Sequence, residues 1–141
     1  METRVLSIGH LVNNPWRAGI LRIDDQNSKD RLLKAVSERQ MRDLLVRMLK
    51  EGKSASDLSD ETRIPLSSVY RHIHELNEAG LLAVDRATIT EQGKRLEFYR
   101  STVTEVNLKF EIQSDLLDLR PNEDIENKFY RLWSSIREVR P

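Results

Sequence analysis

The sequence predicts an α+β fold that is mainly helical and carries one β-hairpin, and two observations predict it. Between residues 28 and 80, apolar residues recur at spacings of three and four, which is typical of amphipathic helices. After Gly80 the period changes, and the β-branched and aromatic residues that favour strands become frequent. Three helices, the last two joined by a short turn, followed by a hairpin make a winged helix-turn-helix.

Two helices are predicted before residue 52. The first spans Lys29–Val36. A capping box, in which the side chains of Ser37 and Gln40 satisfy free backbone N–H groups, is predicted to open the second helix, and Gly52 is predicted to end it. The apolar residues that fall on one face of each helix are Leu32, Leu33, Val36, Met41, Leu44, Leu45, Met48 and Leu49.

The helix-turn-helix itself is predicted next along the chain. Ser54 or Ser56 caps a short helix anchored by Leu58, and residues 63–65 form the turn. The helix that follows stops at Gly80, which suits a left-handed backbone conformation. Its predicted inward stripe is Leu66, Val69, Ile73 and Leu76.

This stripe determines which side chains of the same helix point outward. They are Ser67, Ser68, Tyr70, Arg71 and His74. The first four lie in the opening turns, the part that enters the major groove in helix-turn-helix proteins. Arg71 can make forked hydrogen bonds to guanine, and the serines can bond to phosphates or base edges. The structural alternatives are that Ser67 is only a cap and that Arg71 pairs with Glu75.

The wing is predicted after residue 80. The letters EQG mark its tip, where Gly93 is free to take positive φ. Residues 90–99 admit two interpretations, strand or helix, and we favour strand because β-branched residues crowd positions 101–106. Strict alternation with polar residues predicts a half-buried strand through Val106, Leu108, Phe110 and Ile112.

The ends of the chain lie outside the predicted DNA-binding domain, residues 28–112. Residues 1–27 are predicted to form an arm or a strand, with Gly19–Ile23 as the strand candidate. Residues 113–141 carry an amphipathic helix that Asn122 can cap. We predict that its aromatic face is a dimer contact; the alternative is that this face closes the domain's own core. The residues of the face are Ile125, Phe129, Leu132, Trp133 and Ile136.

Three stretches carry a family resemblance: LLKAVSERQMRDLLVRML, SSVYRHIHELNEAGLL and ITEQGKRLEFYRSTVTEV. Through them, residues 31–112 resemble the ArsR-type winged helix, in particular its archaeal branch of small regulators. The matches to the family's DNA-reading helix are Ser67, Val69, His72 and Ile73 at its start and Leu76, Ala79, Gly80 and Leu81 at its end.

The resemblance implies a homodimeric transcriptional regulator that binds a near-palindromic operator, with one half-site for each subunit. It adds His72 to the candidate DNA-binding residues and gives Arg86, Lys94 and Arg95 of the wing a role on the DNA backbone or minor groove. The chain departs from the family's metal sensors, because it has no cysteine and its tail helix has no histidine. We therefore expect no metal site and no cofactor, and the sequence identifies no effector.

Charge is the weak point of a DNA-binding interpretation. The 23 basic residues equal the 23 acidic ones, so no net field attracts nucleic acid. Over residues 53–100 the acids slightly outnumber the bases. A basic excess lies in the two preceding helices, at Lys29, Arg31, Lys34, Arg39, Arg42, Arg47 and Lys50.

Other classes of function find less support in the sequence. It contains no glycine-rich phosphate loop, no nucleophile elbow and no histidine–carboxylate set with metal spacing, so we predict that the protein is not an enzyme. No secretory leader or membrane-spanning run is recognisable, and a cytoplasmic location is expected. The alternative function is a winged helix that binds another protein within a larger complex.

Overall fold

The computed structural model describes residues 20–113 and 115–139, and their side chains as far as residue 133. Residues 1–19 of the predicted N-terminal arm or strand, residues 1–27, therefore lie outside the described part of the chain. The elements are β1 (Leu21–Ile23), α1 (Gln26–Ser37), α2 (Arg39–Arg47), α3 (Ala55–Thr62), α4 (Leu66–Glu78), β2 (Leu82–Ile89), β3 (Arg95–Ser101), β4 (Val103–Phe110), β5 (Asp115–Pro121), a 3-10 turn (Glu123–Ile125) and α5 (Glu126–Val139).

The predicted fold class is confirmed: α3 and α4 form a helix-turn-helix, and the antiparallel β2–β3 hairpin is its wing. A second, three-stranded antiparallel sheet has the order β1-β5-β4. It brings the strand predicted at Gly19–Ile23 beside a strand from the tail, with Leu21 opposite Leu119. No helix in the described part of the chain is long and apolar enough to cross a membrane.

The core joins the helices to both sheets. Leucines and methionines at helical spacing meet the inward residues of β1 and β5, and all are buried by more than nine-tenths. This confirms the apolar spacing that predicted the helices. The side chains from these elements that are fully buried or nearly so include Leu32, Met41, Leu44, Met48, Leu58, Leu76, Leu117 and Leu119.

The boundaries of α1 and α2 differ from the prediction. The predicted capping box is wrong, because the Ser37 hydroxyl donates to the Lys34 carbonyl at 2.8 Å and so closes α1. The residue that caps α2 is Glu38, without a side-chain hydrogen bond. Gly52 does not end the helix either. A Cβ at Gly52 would lie 3.0 Å from Asp85 Oδ2, so this glycine permits close packing against the wing.

The wing settles the two interpretations of residues 90–99. Strand is correct: Ile89 pairs with Arg95, and the Thr90 N–H donates to the Lys94 carbonyl at 2.8 Å. Gly93 takes φ 79° at the tip, as predicted. A bulge at Asp85 interrupts the register of β2.

The tail helix corrects the predicted dimer contact. Phe129 is fully buried in the chain's own core, with Trp133 and Ile125 at 2% and 6% exposure, so these side chains are not available to a second subunit. The rings of Phe129 and Trp133 lie 6.1 Å apart. Leu132 is half-buried, and the side chain of Ile136 lies outside the described part. The physical reason is that α5 lies back on the chain's own core: its aromatic side chains belong to the same buried cluster as Leu117 and Leu119. Lys128 of α5 also donates to the Val84 and Asp85 carbonyls at 2.9 and 2.8 Å, which holds the helix against β2.

Candidate nucleic-acid interface

The turn between α3 and α4 is held by local hydrogen bonds. A true capping box opens α3, with Ser54 Oγ accepting from the Asp57 N–H and Asp57 Oδ2 accepting from the Ser54 N–H, both at 3.1 Å. Arg63 ends α3 in the left-handed conformation at φ 62°. The Ser59 hydroxyl then donates to the Ile64 carbonyl at 2.7 Å. These contacts fix the angle at which α4 leaves α3.

The inward face of α4 anchors it to the core. Val69, Ile73 and Leu76 are buried, as the stripe predicted. Leu66 departs from the prediction, because it is 42% exposed in the first turn. The opposite face of the helix is therefore held in a fixed orientation toward solvent.

His72 requires a correction. It was a candidate DNA-binding residue, but it is fully buried, so it does not face a groove. Its Nε2 lies 3.0 Å from Gln40 Oε1, which makes it a link between α4 and α2. Its other ring nitrogen, Nδ1, is buried without a hydrogen-bond partner among the described residues. Sequence spacing does not show this contact, because it predicts Gln40 in a capping box at the start of α2.

The remaining candidates on α4 form an exposed polar row. Tyr70 is 55% exposed, Arg71 and His74 are exposed, Ser67 is exposed and Ser68 is half-buried. The alternative pairing of Arg71 with Glu75 is not formed, and Arg71 has no ion pair with any described residue. Its guanidinium is thus free to bind a planar acceptor. His74 Nε2 lies 3.9 Å from Glu78 Oε1.

The N-terminus of α4 has no side-chain cap. Pro65 occupies the N-cap position, and no acidic residue lies in the first turn. The first intrahelical bond runs from the Val69 N–H to the Pro65 carbonyl, at 3.0 Å. The preceding amides of the first turn therefore have no partner within the helix, and they favour an anion.

The wing strands carry the other candidates. Arg86 lies on the ring of Phe98, with its guanidinium carbon 3.8 Å from the ring centre, a cation–π contact that orients it. Lys94 is exposed at the tip, beside Gly93. Arg95 is also exposed, but it is engaged with Glu97 at 3.4 Å.

Helix α4 lies beside the wing, where Tyr70 is close to Tyr99. Burial raises the pKa of Tyr99 on β3, and the nearby Glu97 and then Tyr70 of α4 add to the rise. Lys53 pairs with Tyr99 through two backbone hydrogen bonds of 3.0 and 2.8 Å, which tie the start of α3 to the wing. We call this the α4–wing surface, and its exposed or half-exposed members are Ser67, Ser68, Tyr70, Arg71, His74, Arg86, Lys94 and Arg95.

Acidic groups near this surface are partly neutralised. Glu61 on α3 accepts from Lys53 Nζ at 2.8 Å and from Arg47 Nη1 at 3.4 Å. Hydrogen bonds to Glu61 and Glu51 raise the pKa of Lys53. The Lys53–Glu61 pair leaves the net charge of residues 53–100 unchanged, whereas Arg47, outside that stretch, adds a positive charge beside Glu61.

The basic residues of α1 and α2 divide into two groups. Lys29, Arg42 and Arg47 are engaged: Lys29 with Asp115, Arg42 with the carbonyls of residues 36 and 37, and Arg47 with Glu61. Arg31 and Lys34 instead line an open groove of about 360 Å³ beside α4, together with His74 and two carboxylates of α4, Glu75 and Glu78. Positive charge from α1 thus lies next to the outward face of α4.

Among the described residues, no group of three or more histidines and carboxylates is placed to hold a metal ion.

Comparison with known proteins is consistent with this arrangement. The sequence model of a helix-turn-helix domain matches residues 45–85, which span the end of α2, α3, α4 and the first strand of the wing. No match to a curated protein was found.

Two solved structures are similar over most of the chain. One is HlyU from Vibrio cholerae, at 17% identity and a TM-score of 0.38, covering 82% of this chain and 98% of that one. The other is an ArsR family transcriptional regulator, at 13% identity and a TM-score of 0.40, covering 84% and 98%. The match to residues 45–85 and the arrangement of α3, α4 and the wing together make this chain a winged helix-turn-helix protein.

Proposed function

We propose that this protein is a sequence-specific transcriptional regulator that binds double-stranded DNA as a homodimer on a near-palindromic operator. One observation carries the proposal. Tyr70 and Arg71 are exposed on the opening turns of a helix whose other face is anchored in the core. A rigid helix with free polar side chains at its start is what major-groove reading requires.

The proposed contacts divide into base reading and phosphate binding. Arg71 binds guanine through its forked donors, and Tyr70 packs on base or sugar edges. Ser67, Ser68 and the uncapped amides of α4 bind phosphate, because the helix N-terminus is positive. These phosphate contacts fix the register in which Arg71 meets the bases.

The wing extends the contact along the duplex. Arg86 is held by Phe98, and Lys94 lies at the tip, so both suit the phosphate backbone or the minor groove. Arg31 and Lys34 on α1 supply further positive charge beside α4. With only a few free cations in each subunit, nonspecific affinity is expected to be modest and sensitive to salt.

The experiment is a selection of bound sequences from random duplexes with the full-length chain. A two-fold symmetric motif with half-sites about one helical turn apart is expected. The selection is repeated with Arg71→Ala, which should lose preference at one position in each half-site. Failure to enrich any sequence at low salt, together with recovery of a stable protein partner, would support the protein-binding module instead.

A further inference from the structure

The sheet β1-β5-β4 has an apolar face that its own helices do not fully cover. Leu21 and Ile23 on β1 and Leu117 and Leu119 on β5 are buried. Leu108 lies opposite Leu117, so β4 continues the same face. The predicted half-buried strand is correct for Val106 but wrong beyond it: exposure rises to 44% at Leu108, 78% at Phe110 and 98% at Ile112.

An apolar groove adjoins this strand. It has a volume of about 280 Å³ and lies between α2 and β4, with Leu45, Leu49 and Val106 among its lining residues. Val46, on its rim, is 70% exposed. We call the exposed strand end and this groove together the α2–β4 surface.

β4 is also an edge strand. Among the described strands it pairs with β5 on one side only, which leaves the backbone N–H and C=O groups of its other side without a strand partner in that part of the chain. Monomeric proteins rarely leave a strand edge with apolar side chains exposed. Such an edge usually marks a surface that a partner covers.

We infer that a second copy of this chain occupies the α2–β4 surface, with the two β4 strands paired antiparallel about a two-fold axis at Asn107. The inference deepens the proposed function by naming the contact of the homodimer, and it rests on that function only for the expectation that a dimer exists. This contact through β4 takes the place of the dimer contact predicted for the tail helix, whose aromatic face is buried.

Charge complementarity selects this register. With Asn107 opposite Asn107 of the second copy, Glu105 lies opposite the partner's Lys109, and the same pair recurs on the other side of the axis. Shifting the axis to position 105 or 109 opposes like charges, and shifting it to 108 opposes Glu105 to Glu111.

The symmetric register also matches the apolar faces. Val106 lies opposite Leu108 of the second copy, and the two apolar faces stay on the same side of a continuous six-stranded sheet. The charged residues on the other side already form exposed pairs, Glu105 with Arg120 at 3.3 Å and Lys109 with Glu111 at 3.2 Å. The side chains of Glu105 and Lys109 are 56% and 70% exposed, and they are therefore accessible to the second copy.

The experiment measures the dimerisation constant of the full-length chain by sedimentation equilibrium. E105K and K109E each oppose like charges twice, so each should weaken dimerisation by about tenfold or more. The double variant E105K/K109E restores opposite charges and should recover the constant of the unchanged chain. A mixture of the two single variants should form heterodimers in preference to either homodimer.

A second pair of variants tests the apolar part. F110S should weaken dimerisation, whereas I89S removes another exposed apolar side chain, from the wing, and should leave it unchanged. Circular dichroism confirms that each variant is folded.

The inference is overturned if the folded chain is monomeric at every concentration. It is also overturned if the dimer is insensitive to K109E and F110S. Loss of sequence selection by an intact dimer would sink the proposed function and leave this contact standing.

Discussion

The α4–wing surface and the α2–β4 surface are both exposed, but they differ in what they leave unsatisfied. The first presents side chains that seek polar partners, such as Arg71 and Lys94. The second presents apolar side chains, Phe110 and Ile112 above all, beside an unpaired strand edge. Two hairpins of one small protein can thus suit different partners, because the outward side chains and not the backbone determine which partner fits.

The largest expected effect is a difference in stability between substitutions at the buried and the exposed ends of the apolar face of the β1-β5-β4 sheet. Leu117→Ala should lower the free energy of unfolding by about 2–5 kcal/mol, because it leaves a cavity in the core. Phe110→Ala, at the uncovered end, should change it by less than about 0.5 kcal/mol when the chain is diluted to a monomer. Urea unfolding measures both values. Equal losses would show that Phe110 belongs to the monomer's core.

Next in size is the contrast between two histidines of α4. His72→Ala should cost about 1–3 kcal/mol of stability, because it removes a buried ring and its hydrogen bond to Gln40. The matched control His74→Ala, two residues away and exposed, should cost less than about 0.5 kcal/mol. Thermal unfolding distinguishes them. A stable His72→Ala protein would contradict the role given to the α2–α4 link.

A third prediction concerns base reading by the α4–wing surface. Arg71→Ala should lose about 1–3 kcal/mol of binding free energy at a single base position of the operator, because the forked contact is removed. Fluorescence anisotropy on operators changed one position at a time measures the loss. Arg131→Ala, an exposed arginine on α5, is the control and should bind every operator normally. An unchanged preference would remove Arg71 from the reading set.

The smallest effect is expected at the tip of the wing. Lys94→Ala should weaken binding to all sequences equally and reduce the slope of log affinity against log salt by about 1, because one phosphate contact is lost. Titrations at several salt concentrations measure the slope. A change in sequence preference, with the slope unaltered, would mean that Lys94 reads bases instead.

The helix-turn-helix was accessible to sequence reasoning because its signals are local. The Ser54 cap, the turn at residues 63–65 and the stop at Gly80 depend on neighbours a few residues away. The outward positions of Tyr70 and Arg71 followed from the inward stripe of the same helix. The wing strands followed from their composition and from the glycine at their tip.

The errors arose where distant residues meet. His72 was placed among the DNA contacts because nothing near it in the sequence shows that Gln40, 32 positions earlier, faces it. The sequence predicts a dimer contact at the tail helix because nothing local shows that its aromatic face joins a buried core with Leu21 and Ile23, from the other end of the described chain.

The winged helix-turn-helix and the outward face of α4 follow from the amino-acid sequence alone, since the spacing of apolar residues sets a helix's buried side regardless of what covers it. Which apolar faces stay uncovered follows only from the folded chain, because burial depends on the pairing of β1, β5 and β4, which are far apart in the sequence. Trp133 and Phe129 lie in the chain's own core, whereas Phe110, at the end of the edge strand β4, is exposed.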